Sequence, residues 1–476
     1  MAKITAVIDI GSNSLTLVIY KKTSRLAFYQ LHREKYKIKI GEGSYEKGGV
    51  LQPKPMERAY EALKDFSNII KAYKVRKTLC VATSALRDAP NKKEFINRVS
   101  KNLGINIKVI DGTKESFVGA VSAINLLPKY EEFTTIDIGG GSTEFAKVVN
   151  GKVIKTASLQ LGHVRLNEKF KTVDEKTEYI KSELDKLDTD FKSEVTVTIG
   201  GTAREIAKYI QKREDYPLYR VLHAYEYKDT QAKKYIDKLL DYDKAKLKKY
   251  ISNSRVDTIQ DGALILSGAL EFLNSKKVCV NQMGVREGVF LSDLLRSFNL
   301  VFPANFDLNL KLLLDRFGEV RKIDTYYQNI AKKLSLLICD TCEHKKIIEF
   351  CSKVLLINNM NFYSWIEYLN FGHTHEEKVT IAYLLECFAD EELDEKLYDE
   401  YQVLLPTFKE LEKLFFILNL TSLLAKNMNR QNVKVEKQDD TIMIDIDISL
   451  LTKEEIEDLD NPTKFNIKIN DGRKSI

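Results

Sequence analysis

The sequence predicts an α/β protein with two related halves, followed by an all-α region. An apolar strand, an aspartate, a glycine-containing turn and a second strand occur in this order twice, 128 residues apart, at Asp9 and Asp137. Strand and helix patterns alternate through roughly the first 300 residues, which is typical of α/β domains. From about residue 305 to Asn429, leucine, lysine and glutamate recur at helical spacing. The three observations together indicate the class.

The two copies of the turn read AVIDIGSNSLTL at residues 6–17 and TTIDIGGGSTEF at residues 134–145. In both, the strand pattern stops at the glycines and resumes directly after them, which predicts a hairpin and not a strand that enters a helix. A further turn signal, Asn150-Gly151, follows the second copy. Two similar domains that face each other would bring both turns to one cleft.

The element pattern predicts three domains. We expect domain I over residues 1–125, domain II over 126–303 and a helical domain over 304–476, with a linker at 302–309 and a strand-like tail at 441–450. Between the two copies, the pattern predicts helices over 56–74, 91–103 and 112–127, and strands over 78–85 and 107–111.

The composition indicates a globular chain. It has 476 residues, 44% of them hydrophobic, which suits two or three domains. Lysine and arginine number 74 against 68 aspartates and glutamates, and the net charge of +6 neither requires nor excludes nucleic acid. The first residues reach an aspartate too early for a secretory segment, and no stretch of about 18 uncharged apolar residues follows. We therefore expect a soluble cytoplasmic protein with no membrane partner and no required nucleic acid, whose six scattered cysteines are reduced.

The repeated turns suggest a site for a phosphate and a cation. Glycines with positive φ would let backbone N–H groups converge on one anion. Because an aspartate beside that anion would repel it unless a divalent cation lay between them, Asp9 and Asp137 are candidate Mg²⁺ ligands. The candidate substrate-binding residues of the turns are Gly11, Ser12, Asn13, Ser14, Gly139, Gly140, Gly141, Ser142 and Thr143.

Other readings of these turns were weighed. A single turn of this kind is as well explained by an aspartate that caps a tight turn, but a structural turn does not require a repeated carboxylate. Dinucleotide-binding and P-loop motifs are excluded because their glycines open a helix, whereas here they open a strand.

With further motifs, the sequence resembles the exopolyphosphatase and guanosine pentaphosphate phosphatase family. That family has the actin-like ATPase superfold, which acetate and sugar kinases, heat-shock chaperones and actin share. The resemblance covers about residues 3–300 and implies duplicated actin-like domains. The motifs that carry it, in chain order, are DIGSNS, TSALRDAPN at 83–91, DIGGGSTE, LGHVRL at 161–166, IGGTARE and VREG at 285–288.

For the remainder, the resemblance implies a helical domain of the HD phosphohydrolase type. That type requires an adjacent His-Asp pair, which this sequence lacks, since His373 and His375 flank Thr374. We therefore expect a degenerate HD-like domain that shapes a polyphosphate channel, limits access or forms a dimer contact.

The implied reaction is hydrolysis of a terminal phosphoanhydride with release of orthophosphate. Such a reaction needs an in-line water, a carboxylate that activates it and cationic groups on the phosphoryl oxygens. The resemblance assigns Glu115 as the base, although Lys114 stands where the family has the first glutamate of a pair. It also assigns Glu144, as a further candidate for the metal or the water, and Arg87 in the SAxR motif. Without the resemblance, a glutamate in a first helical turn is more simply explained by the helix dipole.

Several other residues are weaker candidates. Lys39 stands where the family has an arginine, and the amides of Gly200 and Gly201 at a helix start could bind a phosphate or a nucleotide. Thr202 and Glu205 have the spacing of a capping box.

One cysteine pair has zinc-like spacing. Cys339, Cys342 and the nearby His344 lie in a helical stretch, but no second Cys-x-x-Cys pair follows. We therefore expect core or helix-surface cysteines at these positions.

Three functions remain open at this point. The first is a Mg²⁺-dependent hydrolase of inorganic polyphosphate or of the 5′ γ-phosphate of guanosine pentaphosphate. The second is a kinase or chaperone-like ATPase on the same superfold, and the third is a non-catalytic sensor of the alarmone or of polyphosphate. Four acids, at positions 9, 115, 137 and 144, argue against a sensor that only binds polyanions. The residues do not distinguish the two substrates, and a homodimer is possible.

Overall fold

The structure is a computed structural model that describes residues 4–44, 47–317, 325–355, 357, 360–425, 433–446 and 450–471. The chain forms two compact units, Met1–Phe306 and Asp307–Ile476, and the division falls within the predicted linker. The further division of the first unit at residue 125 stays a prediction.

The first unit alternates strands and helices, as the sequence pattern predicts. Its strands are β1 (Ile4–Ile10), β2 (Ser14–Lys22), β3 (Phe28–Lys37), β4 (Lys77–Ala82), β5 (Ile107–Val109), β6 (Glu132–Ile138), β7 (Thr143–Val149), β8 (Lys152–Leu159), β9 (Val195–Ile199), β10 (Glu226–Lys228) and β11 (Lys277–Val280). Its helices are α1 (Pro53–Ala72), α2 (Ser84–Asp88), α3 (Lys92–Leu103), α4 (Gly112–Leu126), α5 (His163–Lys169), α6 (Val173–Leu184), α7 (Gly200–Arg213), α8 (Asp229–Leu240), α9 (Lys244–Tyr250), α10 (Ile259–Leu273) and α11 (Val285–Leu294).

The two sheets of this unit have matching topologies. One has the strand order β3-β2-β1-β4-β5, and the other has the order β8-β7-β6-β9-β11-β10. In each, the central strand pairs antiparallel with the next strand along the chain and parallel with a strand that follows a helical connection. Because the second copy repeats both the order and the directions, the duplication that the sequence predicts is confirmed.

The strand register repeats as well. Asp9 lies opposite Thr16 in the first hairpin, and Asp137 lies opposite Glu144 in the second. The Gly11 N–H donates to the Ser14 carbonyl at 3.1 Å, and the equivalent bond in the second hairpin measures 2.9 Å. Both turns are therefore hairpins, as predicted, but only the second places a carboxylate opposite its aspartate.

The central strands are buried along nearly their whole length. Residues Ala6 to Ile8 of β1 are fully inaccessible to solvent, and Ile136 of β6 is as well. This near-continuous apolar character is expected of strands that are covered on both faces of a sheet. The turns after β1 and β6 are thus anchored by strands that cannot shift without exposing a core.

Helices α4 and α11 connect the two sheets. Helix α4 packs on β7 and β8, helix α11 packs on β1, and the two helices pack against each other. Their backbones touch, since a Cβ atom on Gly288 would lie 1.7 Å from the Val118 carbonyl oxygen. The Tyr20 hydroxyl, from β2, also donates to Glu287 at 2.9 Å. Each half of the duplication is therefore tied to the other through this helix pair.

The second unit is helical with a small sheet. A β-tail is confirmed at Thr441–Ile446, although the predicted strand was longer: residues 447–449 lie outside the described residues and Leu450 begins a helix. No helix among the described residues is long and apolar enough to cross a membrane. The elements are α12 (Leu308–Phe317), α13 (Thr325–Ile338), α14 (Cys342–Val354), α15 (Phe362–Tyr368), α16 (His375–Asp390), α17 (Glu395–Tyr401), α18 (Phe408–Ala425), β12 (Lys434–Gln438), β13 (Thr441–Ile446), α19 (Leu450–Glu457) and β14 (Asn466–Asp471).

The predicted cysteine pair is not on one helix. Cys339 is buried in the break between α13 and α14, whereas Cys342 is exposed at the start of α14. The Thr341 hydroxyl caps that helix by accepting from the His344 amide at 3.1 Å. The break arises because this cap starts a new helix.

Candidate active site

A cavity of about 140 Å³ lies where the two turns meet. Asp9, Asp137 and Glu115 all line it, so the structure brings together the acids that the sequence singled out. Most of the predicted substrate-binding residues are also in its wall. These are Gly11, Ser12, Asn13, Ser14, Gly139, Gly140, Ser142, Gly200 and Gly201.

The glycines of the two turns do not act as predicted. None of Gly11, Gly139, Gly140 and Gly141 has a positive φ. The Gly11 and Gly139 amides close their own turns, so these two N–H groups are not aimed at an anion. Glycine is needed here for space, because a Cβ on Gly140 would lie 3.2 Å from Ser12 Cβ of the other turn. The two turns are therefore packed closely against each other.

Glu115 reaches the cavity from the first turn of α4. Asp111 caps this helix by accepting from the Lys114 amide at 2.7 Å. The start of the helix lies directly on β8, since a Cβ on Gly112 would be 2.2 Å from Ser158 Cβ. Only 8% of Glu115 is exposed. The close approach at Gly112 thus fixes where the Glu115 carboxylate lies.

Arg87 joins Glu115 to the second turn. Its Nη1 donates to Glu115 Oε2 at 2.8 Å, and its Nη2 donates to Ser142 Oγ at 3.1 Å. The same Nη2 lies 3.8 Å from Glu144 Oε1. The fork of a guanidinium can contact several acceptors in this way. Arg87, predicted on the resemblance alone, is therefore a bridge between two acids and a turn.

Glu144 lies behind the cavity wall. It is 2% exposed, and its Oε1 accepts from Ser158 Oγ at 2.9 Å. Two neighbours that were predicted to bind substrate are also occupied by the protein: the Gly141 carbonyl accepts from Arg165 Nε at 2.7 Å, and the Thr143 hydroxyl donates to the Leu161 carbonyl. The contacts of Glu144 are therefore with protein groups, and its role toward a metal stays a prediction.

Burial raises the pKa of every acid in this group. It raises the pKa of Glu115 well above its usual value, and the nearby Glu144 raises it further, against the opposing effect of Arg87. The pKa of Glu144 is raised chiefly by burial. Burial also raises the pKa of Asp137 to about 6, with Asp9 adding to the rise, and the pKa of Asp9 is raised mainly by its own burial. Such clustered, perturbed carboxyls are typical of functional sites.

The cavity also contains cations that were not assigned from the sequence. Lys35, Arg204, Arg255 and Arg286 line it. Burial and then Arg204 lower the pKa of Lys35 to about 8. Burial and then Arg286 lower the pKa of Arg204 to about 10. Since like charges are held together at a cost, this cluster is suited to a polyanion, which would offset the repulsion.

Two of these arginines were within reach of sequence reasoning. Arg204 lies in IGGTARE and Arg286 in VREG, both quoted as motifs, but neither arginine was given a role. Lys35 lies on β3 and Arg255 in a loop before α10, and no local pattern marks them.

Lys39 lies elsewhere. It lines a neighbouring, larger cavity of about 510 Å³ that shares Ser12 and Asn13 with the first. Lys39 is therefore not in the wall that holds Glu115, and Lys35 occupies that place instead.

The start of α7 corrects another prediction. Thr202 and Glu205 do not form a capping box: the helix begins at Gly200, and Glu205 accepts from the Ser252 amide at 2.7 Å. A partner distant in sequence has replaced the local one. Gly200 has a φ of 95°, and a Cβ there would lie 2.6 Å from Asp137 Oδ1, so this glycine allows the helix to meet the aspartate.

A Mg²⁺ ion fits the two aspartates. Among the described residues, no group of three or more histidines, cysteines, aspartates or glutamates is arranged to hold a metal ion. Mg²⁺ does not require such a group, since it is usually bound by one or two carboxylates, water and substrate phosphates. Asp9 and Asp137 supply two buried carboxylates with raised pKa values on one cavity, which is a suitable set.

Comparison with known families decides the assignment. The model of the Ppx/GppA phosphatase family matches residues 18–297, which is more than half of the chain. The chain belongs to the Ppx/GppA phosphatase family. The family match contains both sheets except for the first strand and most of its turn, and it includes Glu115, Asp137 and Arg286. The family resemblance predicted from the motifs is thereby confirmed.

Two named relatives give a range of activities. A bifunctional 3-dehydroquinate synthase/phosphatase of Fusobacterium nucleatum is 30% identical over 313 residues, which cover 60% of this chain and 46% of that protein. Exopolyphosphatase 2 of Mycobacterium tuberculosis is 32% identical over 175 residues, which cover 34% of this chain and 54% of that protein. The chain thus spans about half the length of each of these two relatives.

Solved structures support the fold. The Aquifex aeolicus member of the Ppx/GppA family is 27% identical, with a TM-score of 0.54 over 63% of this chain and 99% of that protein. An exopolyphosphatase from Cytophaga hutchinsonii, 21% identical, has a TM-score of 0.57 over 61% of this chain and 98% of that protein, which shows a shared fold. With the repeated sheet topology, these matches confirm the duplicated, actin-like α/β class, followed here by a helical region.

Proposed function

We propose that this member of the phosphatase family hydrolyses a terminal phosphoanhydride and releases orthophosphate. The substrates are inorganic polyphosphate, the 5′ γ-phosphate of guanosine pentaphosphate, or both. The observation that carries the proposal is the placement of Glu115 in the same cavity as both aspartate-led turns. The name of the Mycobacterium tuberculosis relative supports polyphosphate as one substrate class.

The cation cluster binds the phosphate chain in this proposal. Lys35, Arg204, Arg255 and Arg286 face one cavity and raise its positive potential. Arginine donors suit phosphoryl oxygens because their forks match two oxygens at once. Charge on the equatorial oxygens is therefore neutralised by groups that are already in place before the substrate arrives.

Glu115 activates the attacking water. Its raised pKa makes it a stronger base than an exposed glutamate, while its contact with Arg87 favours the ionised form that accepts the proton. Arg87 also holds Ser142, so the base and the second turn are positioned together. The proton of the water passes to the Glu115 carboxylate as the oxygen attacks the terminal phosphorus, and the phosphoanhydride oxygen leaves with the rest of the chain.

Asp9 and Asp137 would hold the Mg²⁺ ion. Bound there, the ion would supply charge neutralisation between the aspartates and the phosphate oxygens. The aspartates lie at the ends of equivalent strands, which places their carboxylates on opposite sides of the duplicated cleft.

The neighbouring cavity would receive the remainder of the substrate. Its volume of about 510 Å³ exceeds that of the Glu115 cavity, and the two share Ser12 and Asn13. Its wall combines lysines such as Lys37 and Lys176 with acids such as Asp261. It therefore offers room for either a nucleoside or further phosphates, so that the substrates need to be compared directly.

The test compares phosphate release from polyphosphate and from guanosine pentaphosphate, each with and without Mg²⁺. Glu115→Gln should lower the turnover of both at least about 100-fold, because base catalysis contributes roughly 10²–10⁴-fold. Glu94→Gln is the matched control, since Glu94 also lies in the first turn of a helix, α3. Full activity of Glu115→Gln would refute the proposal.

The same experiment separates the alternatives. Turnover of ATP with an acceptor and no polyphosphate cleavage would favour a kinase or ATPase. Tight binding of the alarmone with no turnover in Mg²⁺ would favour a sensor.

A further inference from the structure

A buried hydroxyl in the cavity wall lacks a partner. Ser84, the first residue of α2, is 3% exposed and lines the cavity together with Glu115. Among the residues that the structure describes, none forms a hydrogen bond with Ser84 Oγ. An unpaired buried hydroxyl costs about 1–3 kcal/mol, and in native proteins it calls for an explanation such as a bound molecule or a functional role.

The backbone on both sides holds Ser84 in place. The Thr83 amide donates to the Ile10 carbonyl at 3.2 Å, directly before the first turn. The Arg87 amide donates to the Thr83 carbonyl at 2.9 Å. Ser84 therefore lies between the first turn and the Arg87–Glu115 pair, and its hydroxyl can reach a partner only by rotation of its own side chain.

Nearby hydroxyls are used by the protein itself. Ser142 Oγ accepts from Arg87, and Ser158 Oγ donates to Glu144. Ser116 Oγ, one residue after Glu115, donates to the Phe145 carbonyl. Ser84 differs from these three because its hydroxyl faces the cavity without such a bond.

We propose that Ser84 Oγ donates a hydrogen bond to a non-bridging oxygen of the terminal phosphate. This inference rests on the proposed function, and it adds a catalytic residue that no motif assigned. Beside Glu115, a neutral donor has an advantage over a cation, because it contacts the phosphate without holding the carboxylate in a competing ion pair. As charge spreads over the equatorial oxygens during hydrolysis, this bond strengthens and so stabilises the transition state.

The experiment uses the full chain and Ser84→Ala. It measures phosphate release, the binding of imidodiphosphate with Mg²⁺ by calorimetry, and the melting temperature without ligand. Imidodiphosphate is the probe because its P–N–P linkage resists hydrolysis. Ser67→Ala is the control: Ser67 is also a buried helical serine, but it lies outside the cavity and donates to the Leu103 carbonyl at 3.4 Å.

For Ser84→Ala we expect roughly 10-fold weaker binding and at least a roughly 10-fold loss in kcat/KM, as a hydrogen bond to a charged group implies. The melting temperature should stay the same or rise, because the lost hydroxyl had no protein partner. Ser67→Ala should leave binding and turnover unchanged.

Each other outcome decides between the two ideas. Binding of imidodiphosphate within twofold of the unmodified protein overturns the role of Ser84, whatever the turnover. A lower melting temperature with equally weakened binding in both serine variants overturns it too, because it would indicate a structural role. If the unmodified protein binds the probe but hydrolyses neither substrate, the proposed function fails while the binding result for Ser84→Ala still stands. If it binds no probe, both fail.

Discussion

Replacing Arg87 by glutamine should expose the electrostatic design of the site. Arg87 is the group that contacts Glu115 at 2.8 Å and approaches Glu144 at 3.8 Å. Its side chain is 16% exposed, and those of the two glutamates are 10% and 2% exposed, so solvent screens these charges little. Without Arg87, two buried carboxylates would face each other with no cation between them.

The expected loss follows from buried ion pairs. Removing one partner of such a pair costs about 3–5 kcal/mol when the other stays charged. Arg87→Gln raises the folded-state pKa of both glutamates further above the ordinary value of 4.5. A carboxyl whose pKa is higher in the folded state loses stabilisation as the pH rises from the unfolded-state pKa through the folded-state pKa. The deficit should therefore be about 3–5 kcal/mol near pH 8 and below about 2 kcal/mol near pH 5.

The assay is urea unfolding of the full chain in the presence of a chelator, followed by far-ultraviolet circular dichroism at both pH values. Arg87→Lys keeps the charge and should lose much less stability, although its phosphate release should fall because the fork is lost. Adding Glu115→Gln to Arg87→Gln should recover part of the deficit near pH 8. An equal deficit at both pH values, or a double variant no more stable than Arg87→Gln, would refute the reasoning.

Three further predictions follow from single contacts. Gly112→Ala should lower turnover at least about tenfold and cost about 1–3 kcal/mol in urea unfolding, because the new methyl would meet Ser158 at 2.2 Å; Gly119→Ala on the same helix, with its nearest contact at 3.4 Å, should be harmless, and equal effects would contradict this. Burial and then Arg255 lower the pKa of His163 to about 3, so the folded state loses stability as the pH falls below the unfolded value of 6.5. His163→Gln should remove about 3 kcal/mol of the decrease in unfolding free energy between about pH 7 and pH 4.5, and an unchanged slope would argue against it. A chelator should stop phosphate release and Mg²⁺ should restore it, with Asp137→Asn needing at least about tenfold more Mg²⁺; activity of both proteins in chelator would exclude the metal role.

The parts of the site that local sequence determines were predictable. The two hairpins were visible because strand alternation resumes directly after each turn, and the register that places Asp9 and Asp137 at equivalent points follows from that pattern. The base, Glu115, needed the family resemblance, since its place in a first helical turn has an ordinary explanation.

What depends on packing between distant segments was not predictable. Lys35 and Arg255 come from separate elements and meet only through the fold. Glu205 has a good local capping pattern, but the Ser252 amide, 47 residues away, forms the bond instead. The glycines of the turns are required by contacts such as that of Gly140 with Ser12, which a single sequence does not show.

The contact of α4 with α11 has a consequence for motion. One helix carries Glu115 and the other begins with Arg286, and their main chains touch at Gly288. Any breathing of the cleft must move these helices as a single body. The separation of the proton acceptor from this arginine is then constant, whereas the gap between the two glycine bends is free to widen as a long chain enters or a product departs.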